Sequence, residues 1–242
     1  MTDPLLPTTN FFAIIVAGGS GSRMKSDVPK QFLLLNGKPI LQHTIEQFLA
    51  VQLPARPLSS QTTEMTVSAQ RSTVSIIVVL PARDIPIWNK LCEEHNFHPD
   101  IQTVIGGNSR FQSVRNGLQA IDAPDGLVAV HDGVRPFVTP DIIQAGFETA
   151  ARTGSAVTCV PVKDSVRVVG ADGISRAVDR AQYRLVQTPQ TFRLGLFRQA
   201  FQSEEQAFFT DCASVVEFAG FPITLIDGAY ENIKITTPDD LR

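Results

Sequence analysis

The chain has 242 residues, of which 43% are hydrophobic and 19% charged, and these fractions are typical of a globular protein with a packed core. Its net charge of -3 argues against broad nucleic-acid binding, which usually needs a basic face. No apolar run approaches the roughly 18 residues that span a bilayer, so we expect no membrane insertion.

Two further features of the sequence indicate in which cellular compartment the protein works. The start of the chain, MTDPLLPTTN, lacks the basic and then apolar pattern of a secretory signal, and we expect a short, loosely ordered lead-in. The three cysteines, Cys92, Cys159 and Cys212, show neither a disulfide framework nor zinc-ligand spacing. They predict buried thiols in a reducing cytoplasm.

Five apolar runs along the chain predict buried strands. The first, residues 11–17, ends in glycines, and the others are residues 75–80, 101–105, 127–132 and 155–162. A segment with a helical pattern precedes each of the later runs. This alternation predicts an α/β fold with a parallel sheet.

Two predicted helices have clear boundary signals. Thr139 and Pro140 provide the N-cap and the first-turn proline of one helix, and Gly154 follows its end. The other helix begins at Pro39. Its predicted apolar face consists of Ile40, Leu41, Ile45, Phe48 and Leu49.

Two segments depart from this alternation. Residues 50–73 are rich in Ser, Thr, Gln and Pro and predict a long surface loop. Residues 163–180 alternate apolar and polar side chains around Asp172-Gly173, which is a strong hairpin signal. They predict a β-arm that leaves the main sheet. An isolated hairpin is marginally stable, and packing against another subunit is one way to stabilise it.

The first strand is followed by the glycine-rich loop AGGSGSRM and then by PKQF. Glycines let backbone N–H groups converge on a phosphate, and Arg23 and Lys30 can neutralise its charge. A Walker loop and a dinucleotide fingerprint are both excluded, because Ser22-Arg23 and Met24 stand where Lys-Ser or Lys-Thr and a third glycine are required. A tight turn with two solvated cations is an equal alternative for this loop alone.

The fourth strand ends in VAVHDGVRP, at the carboxyl edge where open α/β sheets bind ligands. Asp132 suits Mg²⁺, which prefers one or two carboxylates together with phosphate oxygens and water. Arg135 suits a phosphate. Taken alone, Asp132 fits the cap of a turn even better. We expect His131 to orient the turn rather than to bind metal.

Seven motifs occur in a fixed order between Phe12 and Leu241: AGGSGSRM with PKQF, GGNSRFQSV, HDGVRP, AVDR, TPQTF, TDCAS and NIKIT. In this order they resemble the 2-C-methyl-D-erythritol 4-phosphate cytidylyltransferases of the non-mevalonate isoprenoid pathway. The resemblance implies a single Rossmann-like domain over residues 1–242, with a β-arm that is exchanged across a homodimer. It also implies an enzyme that uses Mg²⁺ to join the CMP part of CTP to a small polyol phosphate.

The same resemblance assigns roles to individual residues. Asp132 would hold Mg²⁺, and Arg23 and Lys30 would stabilise charge on the α-phosphate, with Arg180 and Lys234 as further catalytic groups. The residues expected to bind the nucleotide are Ala17, Gly18, Gly19, Gly21, Gly107, Asn108 and Ser113. Those expected to bind the acceptor are Asp132, Arg135, Thr210 and Lys234, with Ser165 and Arg180 supplied by the arm of the other subunit.

Some features depart from the family pattern. Asn108 stands where an acidic residue is frequent and Ser165 where a threonine is usual, but both keep hydrogen-bonding capacity. Loop 51–74 is longer than usual, and the final helix is expected to be cut short at Arg242.

Several site residues, taken singly, also fit ordinary structural roles. Arg180 could pair with Asp179 on the surface of the arm. Lys234 could be a solvated strand residue, Thr210 a helix N-cap and Ser113 a polar helix position.

The implied chemistry is direct displacement. The acceptor phosphate is already an anionic nucleophile, so no covalent enzyme intermediate is required, and catalysis rests on positioning and charge. Two other functions stay open at this point. One is a cytidylyltransferase for another polyol phosphate, such as ribitol 5-phosphate, and the other is a non-catalytic nucleotide-binding module.

Overall fold

The computed structural model describes residues 10–19, 28–53 and 73–241. The strands in these ranges are β1 (Phe11–Val16), β2 (Leu34–Leu35), β3 (Lys38–Pro39), β4 (Val74–Leu80), β5 (Ile101–Ile105), β6 (Leu127–Asp132), β7 (Ser155–Pro161), β8 (Arg167–Val169), β9 (Ser175–Ala177), β10 (Arg184–Arg193) and β11 (Leu225–Asp227). The helices are α1 (Ile40–Leu49), α2 (Ile85–Glu94), α3 (Arg110–Gln119), α4 (Pro140–Thr153), α5 (Leu194–Ala200) and α6 (Cys212–Phe218).

The described residues form a seven-stranded main sheet in the order β11-β7-β10-β6-β1-β4-β5. β1 is parallel to β4 and β6, β4 is parallel to β5, and β11 is parallel to β7. β10 runs antiparallel between β6 and β7. The predicted α/β fold with a mostly parallel sheet is confirmed, and the five predicted strands agree with the observed ones to within one residue. β10 was not predicted.

Hydrophobic cores lie on both faces of the sheet, and β1 contributes to both. Ile15 packs in one core with Phe48 of α1 and Phe147 of α4. Ile14 packs in the other core with Val114 of α3. Because β1 is central and covered on both faces, its carboxyl end is a fixed platform for the loop that follows.

The predicted helix boundaries are confirmed. The Thr139 side chain accepts the backbone N–H of Ile142 at the start of α4, and Gly154 ends the helix in the left-handed region with φ of 94°. The predicted apolar face of α1 is buried except at Leu49, where the prediction is wrong. Leu49 is the last residue of α1 and 49% exposed, so the buried face ends at Phe48.

The predicted β-arm is also present. β8 and β9 form a separate two-stranded antiparallel sheet, and Gly173 in the connecting turn has φ of 78°. In the predicted surface loop, Val51 and Leu53 are buried, while residues 54–72 lie outside the described residues, as does the lead-in, residues 1–9. Within the described ranges, every helix is too short or too polar to cross a bilayer.

Candidate active site

Asp132 is the last residue of β6, beside the end of β1, and the turn after it is tightly held. The Gly133 N–H donates to the Val16 carbonyl at 2.9 Å, and Thr44 Oγ1 in α1 donates to the Gly133 carbonyl at 3.2 Å. A Cβ on Gly133 would lie 2.8 Å from Ala17 Cβ. Glycine therefore lets this turn approach the first residue of the glycine-rich loop.

Three cations surround the Asp132 carboxylate. Lys234 Nζ lies 2.9 Å from Asp132 Oδ2, and Arg135 Nε lies 3.6 Å from the same oxygen. One guanidinium nitrogen of Arg110 lies 3.5 Å from Oδ1. A single negative charge among three positive charges leaves this edge of the sheet positive, as a site for phosphates requires.

The surroundings also set the protonation states here. Burial alone would raise the pKa of Asp132, but the charges of Arg110, Lys234 and Arg135 hold that pKa well below its ordinary value. Burial lowers the pKa of His131 to about 4, so its ring is neutral at pH 7. The His131 Nε2 atom lies 3.2 Å from the Arg135 carbonyl. This contact is consistent with the expectation that His131 orients the turn, which stays a prediction.

A cavity of about 390 Å³, in the size range of small-ligand sites, is lined in part by Gly18 and Gly19 at the start of the glycine-rich loop. Ser113 shapes its wall, because Ser113 Oγ accepts the Gly107 N–H at 3.1 Å and donates to the Ser109 carbonyl at 2.8 Å. The cavity brings together five of the predicted nucleotide-binding residues. Its lining consists of Gly18, Gly19, Pro81, Arg83, Gly106, Gly107, Asn108, Ser109 and Ser113.

The remaining residues predicted near the glycine-rich loop differ in their positions. Ala17 continues the strand ladder, since its N–H donates to the Val79 carbonyl at 2.9 Å. Lys30 begins a 3-10 turn, Lys30–Phe32, and its Cε is 3.9 Å from where a Cβ on Gly19 would lie. Lys30 thus lies against the loop. Gly21 and Arg23 are outside the described residues.

Thr210 is exposed in the loop before α6, and its interpretation as an N-cap is wrong. The N-cap is Asp211, whose Oδ1 accepts the Ser214 N–H at 2.9 Å. A carboxylate accepts this bond as well as a hydroxyl does, so the sequence TDCAS permits either register.

Ser165 and Arg180 are both exposed at the base of the arm. The Arg180 guanidinium donates to the Lys163 carbonyl, and Asp179 accepts the N–H of Ala181 through its side chain at 3.0 Å. The suggested surface pair between Arg180 and Asp179 is therefore replaced by contacts of each residue with the backbone.

Arg110 is a charged site residue with no role predicted from the sequence, and the cavity residues Pro81, Arg83, Gly106 and Ser109 were also not predicted. Arg110 is the first residue of α3, directly after the segment that lines the cavity, and its guanidinium donates to Cys212 Sγ at 3.3 Å in addition to contacting Asp132. In the sequence, only its position directly after GGNS indicates that it could lie near the site. Its contact with Asp132 arises only in the folded chain, where the start of α3 lies near the end of β6.

The fold and the site place this protein in the class of α/β nucleotidyltransferases. A profile of the family described as IspD, 2-C-methyl-D-erythritol 4-phosphate cytidylyltransferase, matches residues 11–55 and 49–242. The chain is 46% identical over 229 residues to the 2-C-methyl-D-erythritol 4-phosphate cytidylyltransferase of Bacteroides thetaiotaomicron, covering 95% of both chains. The chain belongs to this family.

Solved structures agree with the assignment. The 4-diphosphocytidyl-2C-methyl-D-erythritol synthase of Anaerococcus prevotii superposes with a TM-score of 0.76 at 27% identity, covering 96% of this chain and 93% of the other. The 2-C-methyl-D-erythritol 4-phosphate cytidylyltransferase of Francisella tularensis superposes with a TM-score of 0.71 at 31% identity, covering 96% and 97%. The resemblance seen in the motifs is thus confirmed over nearly the whole chain.

Proposed function

We propose that this chain transfers CMP from CTP to 2-C-methyl-D-erythritol 4-phosphate, giving 4-diphosphocytidyl-2-C-methyl-D-erythritol and pyrophosphate. Family membership supports the reaction. The structural observation that carries it is the close approach of Gly133 to Ala17, which sets the cation-rich turn against the loop that lines the cavity. A nucleotide in the cavity would then direct its phosphates toward Asp132.

We assign the cytidine part of CTP to the cavity. Gly107 and Asn108 would present backbone groups to the base and ribose, on a wall that Ser113 holds in shape. Lys30, lying against Gly19, would meet the charge that grows at the α-phosphorus, together with Arg23.

The acceptor phosphate is assigned to Arg135 and Lys234. Arg135 is fixed by a hydrogen bond from its guanidinium to the Asn232 carbonyl at 2.7 Å, so it can aim a phosphate oxygen with little rearrangement. Attack is direct. Burial raises the pKa of the nearby Cys212 thiol, which keeps it protonated and unsuited to covalent catalysis.

The described part of the site offers Mg²⁺ one carboxylate, so most of the metal's ligands would be phosphate oxygens of the substrate and water. Within the described ranges no three Asp, Glu, His or Cys side chains cluster, and Asp132 stands alone among cations. One carboxylate completed by phosphate oxygens and water is a usual magnesium ligand set. We assign Asp132 as that carboxylate. Bound there, Mg²⁺ would neutralise charge on the polyphosphate.

We further infer a cytoplasmic homodimer in which residues 1–242 act as one domain per subunit. Cys92, Cys159 and Cys212 are free thiols, which suits a reducing compartment. The arm exposes Val169 and Ile174, at 64% and 72%, and a partner subunit would cover them. Ser165, Arg180 and Thr210 would then complete the acceptor site, the first two from the partner's arm.

The test is pyrophosphate release from CTP with a panel of 2-C-methyl-D-erythritol 4-phosphate, erythritol 4-phosphate and ribitol 5-phosphate. We expect turnover mainly with the methylerythritol compound, and little with ATP in place of CTP. Preference for ribitol 5-phosphate would contradict the proposed acceptor. Release with none of the three would favour a non-catalytic nucleotide-binding module.

A further inference from the structure

The Arg110 guanidinium bridges Cys212 and Asp132 next to the cavity. Arg110 follows directly after Ser109, which lines the cavity and caps α3. One terminal nitrogen donates to Cys212 Sγ at 3.3 Å, and the other lies 3.5 Å from Asp132 Oδ1. The Arg110 side chain is half-buried, and a guanidinium keeps its charge in such a place, so pairing with Asp132 is favourable.

The two oxygens of Asp132 are held in different ways. Oδ2 faces Lys234, whose side chain is 40% exposed and whose ammonium is a flexible point charge. Oδ1 faces Arg110, a rigid fork whose other end is fixed by Cys212. Rotation about the terminal bond of an aspartate is soft, so its partners decide the plane of the carboxylate. Arg135, whose Nε lies 3.6 Å from Oδ2, is likewise fixed by its bond to the Asn232 carbonyl, and Arg110 is the cation that holds Oδ1.

We propose that Arg110 is a positioning residue for the transfer reaction, which fixes the plane of the Asp132 carboxylate toward the nucleotide side and acts only through Asp132. The inference rests on the proposed function. It adds a requirement that charge alone does not satisfy, namely that one planar group bridges Cys212 and Asp132. Partners that orient a functional carboxylate usually change activity roughly 10- to 100-fold when removed.

The experiment compares Arg110→Met, Arg110→Lys and Arg115→Met with wild type. Arg115 lies on the same helix, 5.1 Å from the Phe111 ring centroid, and its replacement is a matched loss of charge away from the site. We expect Arg110→Met to lower kcat roughly 10- to 100-fold, while metal-free binding of CMP and the melting temperature stay near those of Arg115→Met. Arg110→Lys should stay well below wild type.

A double-mutant cycle with Asp132→Ala decides whether Arg110 acts through Asp132. We expect Arg110→Met to have no further effect on kcat once the carboxylate is absent. An undiminished effect on that background would show an independent action on the substrate and overturn the proposal. Recovery of kcat by lysine would also overturn it, as would joint loss of CMP binding and melting temperature.

If Arg110→Met does not fold, a second pair of variants tests the proposal. Cys212→Ser keeps an acceptor for the Arg110 guanidinium, whereas Cys212→Ala removes it. We expect the alanine variant to be severalfold slower than the serine variant with equal CMP binding, and equal rates would overturn the proposal. An inactive wild type would instead refute the proposed function itself, and this inference with it.

Discussion

At the scale of single residues, the site is a balance between burial and charge. Asp132 is only 8% exposed, and an isolated carboxylate in that position would tend to take up a proton. Arg110, Arg135 and Lys234 reverse this tendency. Arg135 and Lys234, to which we assign the acceptor phosphate, thus help Arg110 to keep the carboxylate ionised at neutral pH.

Lys30 should act mainly on the chemical step. If it meets charge that grows only in the transition state, Lys30→Ala should lower kcat roughly 100-fold or more and change the KM for CTP much less. Lys38→Ala is the control, because Lys38 Nζ pairs with Glu46 at 3.0 Å on the surface. Steady-state kinetics with both substrates measure the split. A pure rise in KM would assign Lys30 to ground-state binding instead.

His131 should make folding stability depend on pH. Burial is the main cause of its lowered pKa, and Asp132, Arg135 and Arg110 are the charged groups that face it. The unfolded imidazole takes up its proton near pH 6.5 and the folded one near pH 4, so the unfolded state binds more protons between these values. Stability is thus fully present above pH 6.5 and falls toward pH 4.

The expected loss over that interval is about 3 kcal/mol of unfolding free energy. Urea unfolding at pH 7.5, 5.5 and 4.5 measures it, with His131→Gln as the variant and His98→Gln as the control at an exposed histidine. The His131 variant should lose less stability on acidification than the control. Parallel pH profiles would show that His131 is not the group responsible.

The sequence predicted those site residues whose motifs carry chemistry, and it missed residues defined by packing. Asp132 and Lys234 are 102 positions apart, and the family motifs placed both in one site, where they are in contact. Arg110 had no such signal, since its contacts with Asp132 and Cys212 join the first residue of α3 to the end of β6 and the start of α6. Long-range partners of this kind follow from tertiary structure and not from local pattern.

At the scale of elements, the missed strand β10 shows where hydrophobic patterning fails. Its buried residues include Gln187 and Gln190, so it lacks the apolar run that identified the other strands. Gln190 Oε1 accepts the N–H groups of Cys212 and Ala213, both at 3.0 Å, at the start of α6. A buried amide is acceptable here because α6 satisfies it, and that partner is not visible in the local sequence.

Replacing Gly133, in the turn after β6, and replacing Gly195, in α5, should change the stability in opposite directions. An added Cβ at Gly133 would meet Ala17 Cβ at 2.8 Å and Leu41 Cδ1 at 3.0 Å, whereas nothing lies within 4 Å at Gly195 in α5. We expect Gly133→Ala to cost about 1–3 kcal/mol of stability and to reduce activity. Gly195→Ala should stabilise by about 0.5–1 kcal/mol with activity unchanged. Chemical denaturation and turnover measure both, and a neutral Gly133→Ala would contradict the close approach.

At the scale of the whole molecule, the arm is tied to the site of its own subunit at its base. Lys163 Nζ lies 3.4 Å from the Tyr230 ring centroid, and the Tyr230 hydroxyl donates to the Pro161 carbonyl at 2.9 Å. Tyr230 is four residues before Lys234. The arm that would enter a neighbouring site is thus anchored beside a segment that serves its own site.

The proposed site shared between two subunits predicts an outcome that a site built from one subunit does not. In a two-fold dimer with exchanged arms, one subunit with Arg180→Ala and one with Lys30→Ala place both lesions in one pocket and leave the other intact. Each variant alone should be nearly inactive. Mixing them under conditions that exchange subunits should recover up to about a quarter of wild-type activity, because random pairing makes half of the dimers mixed, with one good site each.

Native mass spectrometry establishes that mixed dimers have formed, and Lys38→Ala mixed with Lys30→Ala shows the recovery expected when one partner carries no lesion in a site. If Arg180 serves the pocket of its own subunit, every pocket in the mixed dimer carries one lesion, and activity stays at the level of the single variants. Recovery therefore requires that Arg180 reach across the interface. Confirmed mixed dimers without recovery would refute the exchanged arm while leaving the proposed reaction untouched.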